Sequence, residues 1–466
     1  MKKLFFSALV LLTGQLVFAQ GYEVEFLIQD LPDEMVYLSR YSKKEFVLID
    51  SIQAVNGTFY FHRSEDQPRA MCRMSLKRPG AMNVQDNSGY IEFIWANESF
   101  RVFADSKNIS ETVSFDNSKE NSAMGEFRQY EIAYENKMSA LYPLIDRYPE
   151  KDEFYREASA HFVALQKERD AVIQNIINQN KELFVSKIIA SYRSSILKPE
   201  LKGQERMLFL QQYFFDKSLI NQPELLNAPV YGMKIIDYLK LYGNQNLSFG
   251  DQENAFMQAV DVIMANVSGD PELRSFVVEY LLEGFQSFGM EKIQTYIVDT
   301  YVDETCETDA VDLAVERVTA YRKMAEGEIA KDIFIRSREN TMVRLSEVES
   351  EYTLVIFWAT YCKHCKELIP QIGKWYNNER PDNLEVFSVS IDTLKSAWDE
   401  FNELVDPQWI NTFEPRGWEG KSAVDYNIYA TPTMFLLDKQ RRIIAKPYTF
   451  RELMREVGKL REAGSK

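Results

Sequence analysis

The sequence predicts a multidomain protein with an N-terminal β-sandwich, an α-helical middle domain and a C-terminal α/β domain. Its 466 residues amount to roughly three domains of about 150 residues each. Three kinds of pattern follow one another along the chain: short β-prone runs over 20–117, apolar residues at helical spacing over 118–325, and alternating strand and helix patterns over 326–466.

Composition and charge exclude several classes of protein. Hydrophobic residues make up 45% and charged residues 27% of the chain, which is ordinary globular composition. Lys and Arg number 54 and Asp and Glu number 70, so the net charge is −16. An acidic surface disfavours non-specific binding to nucleic acid and docking on anionic lipid. We therefore expect no nucleic-acid partner.

The N-terminus has the pattern of a secretory signal. Positive residues at 1–3 precede an apolar run, Leu4–Leu12, and small residues stand at Val17 and Ala19. We expect cleavage after Ala19 and a location outside the cytoplasm, with an uncleaved anchor helix as the alternative. No later segment offers about 18 uninterrupted apolar residues, so we expect no stable membrane insertion.

The N-terminal domain is predicted from alternation and turn residues. Tyr22, Val24 and Phe26 alternate with neighbours of the opposite face. The Asn56-Gly57 pair before the β-rich run 58–61 predicts a hairpin turn. Several short strands separated by such turns are typical of a small β-sandwich.

The middle domain is predicted from helical stripes. Apolar residues from Met124 to Ile145 recur at steps of three or four, and a second stripe covers 155–176. Asp270-Pro271 has the composition of a helix start, and Gly289 is placed to end that helix.

The C-terminal domain is predicted from alternating elements, which imply an α/β layer structure. Its predicted strands cover 354–358, 384–391, 433–437 and 442–445, and its predicted helices cover 363–377, 396–404 and 450–460.

The sequence Cys362-Lys363-His364-Cys365 directly follows the first of these strands and opens a helix. A CxxC pair in this position is a disulfide motif. Unpaired N–H groups and the positive end of the helix dipole favour a thiolate at Cys362, and Lys363 and His364 add cationic or donor groups beside it. We therefore assign attack to Cys362, resolution of the mixed disulfide to Cys365, and tuning of Cys362 to His364 and Lys363.

Two other interpretations of the CxxC pair remain: half of a zinc site, and an inert structural disulfide. Zinc needs two more ligands, and the remaining candidates lie in other predicted domains, so we expect no metal. These candidates are His62, His161, Cys72 and Cys306. We interpret Cys72 and Cys306 as buried residues or free thiols, with a disulfide between them as the alternative. We expect no cofactor.

The runs 357–365 and 430–438, together with Pro370, resemble the thioredoxin-fold family and, more narrowly, its extracytoplasmic TlpA/ResA-like branch. The resemblance covers about residues 326–466. It implies a thioredoxin fold and a thiol–disulfide oxidoreductase acting on protein disulfides. It also implies that Pro432 is a cis-proline facing the cysteines and that Thr431 offers backbone hydrogen bonds to the substrate. We count Trp358 with these two as substrate-binding.

The domain order resembles that of secreted thioredoxin-like proteins of the Bacteroidetes. This resemblance implies a periplasmic location. The TlpA/ResA resemblance implies protein thiols or disulfides as partners and a membrane thiol–disulfide electron donor. The two indications of redox direction differ: His364 before the second cysteine favours an oxidising pair, whereas the TlpA/ResA resemblance favours a reductant.

Two positions depart from the family pattern. Ile356 stands where a buried acid is common, and Leu368 stands where the branch often has Glu. Glu367 is adjacent to Leu368 but is turned about 100° around the helix. The missing acid leaves open an alternative function, a binding or assembly protein whose upstream domains recognise a partner and whose redox domain is secondary.

Overall fold

The fold is given by a computed structural model that describes residues 21–65, 67–78, 89–217, 221–267, 269–304, 306, 308–405 and 408–464. The predicted signal sequence at residues 1–19 lies outside the described residues. The chain folds into two compact units. The first contains the described residues up to Leu241 together with Asn266–Leu273, and the second contains Tyr242–Ala265 and the chain from Arg274 onward.

The first unit begins with two four-stranded sheets, which confirms the predicted β-sandwich. Their strand orders are β4-β1-β7-β8 and β3-β2-β5-β6. Both sheets contribute to one apolar core, with Phe26 from β1 and Phe93 from β6 in ring contact at 5.6 Å. The strands are β1 Gly21–Gln29, β2 Met35–Ser42, β3 Glu45–Gln53, β4 Thr58–Ser64, β5 Ala70–Ser75, β6 Tyr90–Trp95, β7 Phe100–Asp105 and β8 Ser114–Asp116, and a short helix, α1 Ile109–Thr112, precedes β8.

The Asn56-Gly57 turn is present, but the strands that it joins do not form a hairpin. Both residues have positive φ angles, 51° and 73°. A single bridge between Val55 and Thr58 closes the turn, after which β4 pairs with β1 in the other sheet. A Cβ on Gly57 would lie 2.1 Å from the Ile28 carbonyl oxygen. The predicted turn therefore crosses between the two sheets.

The helices of the first unit follow the predicted stripes. Met138 and Ile145 of α2 pack with Tyr155 and Phe162 of the next helix in one apolar cluster. These helices are α2 Lys119–Arg147, α3 Glu153–Gln179, α4 Phe184–Ala190, α5 Gly203–Tyr213 and α6 Val230–Lys240.

Four further helices precede the C-terminal sheet along the chain. The predicted start at Asp270-Pro271 is confirmed, since the Asp270 carboxylate accepts a hydrogen bond from Leu273 N at 2.9 Å. Gly289 follows the end of that helix with a φ of 66°. The four are α7 Phe249–Asn266, α8 Pro271–Ser287, α9 Glu291–Tyr301 and α10 Asp309–Arg322.

The C-terminal part of the second unit is the predicted α/β layer structure. Its five-stranded sheet has the order β13-β12-β11-β14-β15. The central strand β11 is parallel to β12 and antiparallel to β14. The elements are β9 Phe334–Arg336, β10 Met342–Arg344, β11 Tyr352–Trp358, α11 Lys363–Glu379, β12 Leu384–Ser390, α12 Lys395–Val405, β13 Ile410–Phe413, α13 Lys421–Asp425, β14 Thr433–Asp438, β15 Ile443–Ala445 and α14 Phe450–Gly464.

Apolar layers cover both faces of this sheet. Trp375, Trp398 and Leu453 belong to one layer, and Phe387 and Phe435 belong to the other. The central strand β11 ends with its carboxyl end at one end of the sheet. The carboxyl ends of strands are where α/β folds place their ligands. No helix in the described ranges has the length and apolarity needed to cross a membrane.

Candidate active site

Cys362 is the residue that caps the start of α11. Its backbone is extended (φ −80°, ψ 119°), and its Sγ accepts a hydrogen bond from Cys365 N at 3.2 Å. The same sulfur lies 3.2 Å from the Thr431 carbonyl oxygen, to which the thiol can donate. The side chain is half-buried. The helix thus directs a free backbone N–H at this sulfur, an arrangement that stabilises negative charge on it.

Cys365 lies one turn deeper, with only 1% of its surface exposed. Burial raises the pKa of the Cys365 thiol to about 12, and a hydrogen bond with the Cys362 side chain acts in the same direction. Both cysteines are thiols in the structure, not joined in a disulfide, and the same holds for Cys72 and Cys306. The pair therefore combines one accessible sulfur with one that keeps its proton at neutral pH.

The pairing of β14 with β11 places Thr431 and Pro432 beside the cysteines. They directly precede β14, whose first residue, Thr433, pairs with Phe357 near the end of β11. The Thr431–Pro432 peptide bond is cis. The segment expected to hold the substrate strand is therefore beside the accessible sulfur.

The other predicted site residues fall into two groups. Lys363 and His364 are exposed on the first turn of α11, and neither side chain has a hydrogen bond or ion pair within the described ranges. Trp358 is fully buried, and its indole N–H donates to Ser388 Oγ at 2.9 Å. Trp358 therefore lies in the core beneath the site and not at the substrate-facing position expected for it, because its ring packs between the sheet and the helices.

The two departures from the family pattern are apolar and buried in the structure. Ile356 is fully buried and Leu368 is 7% exposed, while Glu367 is exposed to solvent. None of the three places a carboxylate beside Cys365. None of these three positions therefore supplies a direct acceptor for the Cys365 proton.

A buried carboxylate that the sequence analysis missed lies at the next strand. Asp392, 2% exposed, accepts hydrogen bonds from Thr360 N at 3.0 Å and from Thr360 Oγ1 at 2.6 Å. Ser390 Oγ donates to its other oxygen at 2.6 Å. Asp392 thus fixes the loop that leads from β11 into Cys362. Its position just after a buried strand parallel to β11 is the signal that could have identified it, because the carboxyl ends of parallel strands share one edge.

The remaining cysteines lie away from this pair. Cys72 is buried in the β-sandwich core, where burial raises its thiol pKa to about 12. Cys306 is buried in the second unit. No group of three or more His, Cys, Asp or Glu side chains in the described part of the chain is arranged to hold a metal ion.

Comparison with known families identifies the domain that contains this site. Residues 350–443 match the family described as thioredoxin-like. The C-terminal part of the chain is a thioredoxin-like domain. Residues 22–124, in the first unit, match a family described as a domain of unknown function, DUF4369.

The thioredoxin-like domain also has named relatives. Thiol-disulfide oxidoreductase ResA of Bacillus thuringiensis subsp. konkukian (strain 97-27) is 24% identical over 126 residues, which is 27% of this chain and 71% of the relative. Thioredoxin-like protein YneN of Bacillus subtilis (strain 168) is 26% identical over 115 residues, 25% of this chain and 66% of the relative. The resemblance to the TlpA/ResA-like branch is confirmed, and the domain is of the thiol–disulfide oxidoreductase class.

Two solved structures are similar to parts of the chain. A domain of a possible thiol-disulfide isomerase from Cytophaga hutchinsonii ATCC 33406 is 25% identical, with a TM-score of 0.28, covering 30% of this chain and 96% of that one. A thioredoxin-like protein from Bacteroides caccae ATCC 43185 is 16% identical, with a TM-score of 0.40, covering 57% of this chain and 96% of that one.

Proposed function

We propose that this protein is an extracytoplasmic thiol–disulfide oxidoreductase that acts on protein disulfides through Cys362 and Cys365. One observation carries the proposal. A half-buried sulfur caps the start of α11, within 3.2 Å of both a helix N–H and the Thr431 carbonyl oxygen, while its partner thiol is buried behind it.

The exchange runs in two displacements. The Cys362 thiolate attacks one sulfur of the substrate disulfide, which forms a Cys362–substrate disulfide and releases the other substrate sulfur as a thiol after it takes a proton. Cys365 then loses its proton and attacks the Cys362 sulfur. This step releases the second substrate thiol and leaves a Cys362–Cys365 disulfide, so two electrons have passed to the substrate. The reverse sequence oxidises a dithiol substrate.

The neighbouring residues have supporting roles. The Thr431–Pro432 segment holds the substrate chain beside Cys362 through its main chain. His364 and Lys363, which are exposed and unpartnered in the described part of the chain, favour the thiolate by their charge or hydrogen-bond donors. Trp358 supports α11 from below, through the core, without touching the substrate.

The proposed location is the periplasm, with the signal sequence at 1–19 removed after Ala19. A membrane thiol–disulfide donor would return electrons to the oxidised pair. The β-sandwich over 20–117 and the helical domain over 118–325 would recognise or orient partners for the redox domain over 326–466. The sequence pattern of the N-terminus supports the periplasmic location, and the similarity to ResA supports the redox role of the C-terminal domain.

Reduction of insulin by the full chain, with dithiothreitol as the electron source, tests the activity. We expect wild type to accelerate the reaction and Cys362→Ser to lose the acceleration. Cys72→Ser is the matched control, because it removes a buried thiol of the first unit. A wild-type protein without activity, or a fully active Cys362→Ser variant, would contradict the proposal.

A further inference from the structure

A buried ion pair joins α9 to the end of β15 within the second unit. Glu291 is the first residue of α9, and its Oε2 accepts a hydrogen bond from Lys446 Nζ at 2.6 Å. The two side chains are only 13% and 10% exposed. The ammonium group of Lys446 also lies 4.1 Å from the centre of the Tyr321 ring and 5.3 Å from that of Phe435. The Glu291 carboxylate is therefore fixed by a buried cation that directly follows β15.

The main chain at the start of α9 is fixed separately, from α7. The Glu253 carboxylate accepts a hydrogen bond from Lys292 N at 2.9 Å, which is one of the N–H groups that a helix leaves free at its start. The Lys292 ammonium group donates to Asn254 Oδ1 at 2.7 Å. Two residues of α7 thus hold the neighbour of Glu291, so the carboxylate has a defined position on the helix side as well.

The second oxygen of this carboxylate contacts the segment before β14. Glu291 Oε1 accepts a hydrogen bond from the Tyr429 hydroxyl. Burial raises the pKa of Tyr429, and the charge of Glu291 acts in the same direction, so the hydroxyl keeps its proton and donates at neutral pH. Tyr429 stands two residues before Thr431, whose carbonyl oxygen lies 3.2 Å from Cys362 Sγ. A short path therefore connects the Glu291 carboxylate with the main chain beside the proposed attacking sulfur.

The segment that contains Tyr429 is anchored at both ends by the thioredoxin-like domain. Ile428 N donates to a carbonyl of α13 at 2.9 Å, and Thr433 pairs with β11. Residues 429–432 lie between these anchors. The Tyr429 hydroxyl adds a contact from α9, a helix outside the residues that match the thioredoxin-like family. The hydrogen bond to Glu291 therefore limits the positions that 429–432 can take between its anchors.

We propose that Glu291 is a positioning residue of the redox site, which acts through Tyr429 to hold the Thr431 main chain beside Cys362. The inference rests on the proposed function and assigns a part of the redox site to a helix that precedes the thioredoxin-like domain in the sequence. Lys446 holds the carboxylate in turn and does not touch the substrate. When the link is broken, only a fraction of the molecules keeps this main chain in the binding position, and the apparent affinity for the substrate falls by that fraction.

Steady-state reduction of a disulfide-bonded peptide by the full chain, with dithiothreitol as the electron source, tests this role. Tyr429→Phe removes the hydroxyl and leaves the ion pair in place. We expect KM for the peptide to rise about three- to tenfold, because one hydrogen bond to a charged group is lost, while kcat stays the same. Alkylation of Cys362 by iodoacetamide, which needs only the accessible sulfur, should proceed at the wild-type rate.

A second variant removes the carboxylate itself. Glu291→Leu/Lys446→Met replaces the buried pair with apolar side chains, which avoids leaving one charge buried without a partner. We expect the same rise of KM as in Tyr429→Phe. Adding Tyr429→Phe to this variant should raise KM no further, because all three substitutions break one link. Since Tyr429→Phe keeps the ion pair, its result stands whether or not the pair variant folds.

Tyr60→Phe is the matched control and should react like wild type. Tyr60 and Tyr429 are each 38% exposed. The Tyr60 hydroxyl likewise donates to a glutamate, Glu25 Oε1, at 2.7 Å, but this pair belongs to the β-sandwich.

The outcomes separate the positioning role from a general effect on folding. A KM for Tyr429→Phe equal to that of wild type, or losses that add in the combined variant, would overturn the role of Glu291. A lower kcat at unchanged KM would overturn it as well, because it indicates a smaller folded fraction and no change in substrate binding. Each of these results leaves the redox function standing, whereas a wild type that reduces no peptide would overturn both proposals.

Discussion

The sulfur of Cys362 lies 3.2 Å from the carbonyl oxygen of Thr431, although 69 residues separate them in the sequence. The antiparallel pairing of β11 with β14 creates this contact, since it sets Thr433 opposite Phe357. The same sulfur is bound to the helix start through Cys365 N. The sheet and the helix thus each contribute one contact to the proposed attacking atom.

The resolving step should depend strongly on pH. Burial raises the pKa of the Cys365 thiol. At pH values below that pKa, the thiolate fraction rises about tenfold for each unit of pH increase. We expect the rate of resolution of a Cys362–peptide disulfide to rise by about that factor per unit between about pH 6 and pH 9. Single-turnover kinetics of peptide release measure it. A plateau near neutral pH would show that another group removes the Cys365 proton.

Replacing His364 should change the redox potential of the pair. The imidazole is exposed on the first turn of α11 without a partner in the described part of the chain, so its donor groups can favour the Cys362 thiolate. We expect His364→Ala to make the potential more negative by about 10–30 mV. Equilibration with glutathione measures the potential. The control is Lys374→Ala, because Lys374 is an exposed cation further along α11. An equal shift of the potential in both variants would show that His364 has no particular effect on the cysteine pair.

Asp392→Asn tests the loop that leads into Cys362. The carboxylate accepts from Thr360 and Ser390, and an amide of the same shape cannot accept all of these hydrogen bonds. We expect a loss of about 1–3 kcal/mol in the free energy of unfolding of the second unit and slower alkylation of Cys362. Asp399→Asn is the control, since Asp399 forms an exposed ion pair on α12.

Tryptophan fluorescence can follow this unfolding. Trp95 belongs to the first unit, and the other five tryptophans belong to the second. An Asp392→Asn variant with wild-type stability and wild-type Cys362 reactivity would show that the loop keeps its position without the carboxylate.

Glu253 should make the stability of the second unit depend on pH. Its side chain is 3% exposed on α7 and accepts from Lys292 N at 2.9 Å. Burial raises its pKa from 4.5 to about 7. Between these values the folded state holds a proton that the unfolded state has lost, so this group lowers the free energy of unfolding as the pH rises through that window.

We expect Glu253→Gln to gain stability over wild type between about pH 5 and pH 8, by at most about 3 kcal/mol. Denaturant unfolding at several pH values measures the difference. Glu316→Gln, an exposed acid of α10, should show no such gain. A constant difference between Glu253→Gln and wild type across this range would contradict the assignment.

The sequence predicted the elements around the site well because their patterns are local. A continuous apolar run predicted β11, and the cysteine spacing predicted a helix that begins at Lys363, as the structure has it. β13 was not predicted, because Ile410–Phe413 is a short edge strand with polar residues at its centre. β9 and β10 were not predicted either, because each has only three residues.

Long-range relationships were less accessible from the sequence. The helical stripes over 118–325 carry no information about which sheet a helix packs against, and no motif around Glu291 points to the cysteines. Trp358 was expected to bind the substrate, but its position in the alternation of β11 turns its side chain into the core. The side of a strand is decided by packing on both faces of the sheet, which a fully apolar run does not reveal.

Trapping of a mixed disulfide tests the central claim most directly. The Cys365→Ser chain is incubated with a disulfide-bonded peptide and analysed by mass spectrometry after proteolysis under non-reducing conditions. The account predicts a stable one-to-one adduct on Cys362, because Cys365 is no longer present to resolve it, and no such accumulation in wild type or Cys362→Ser. An adduct on any other cysteine, or its absence from Cys365→Ser, would contradict the assignment of Cys362 as the attacking sulfur.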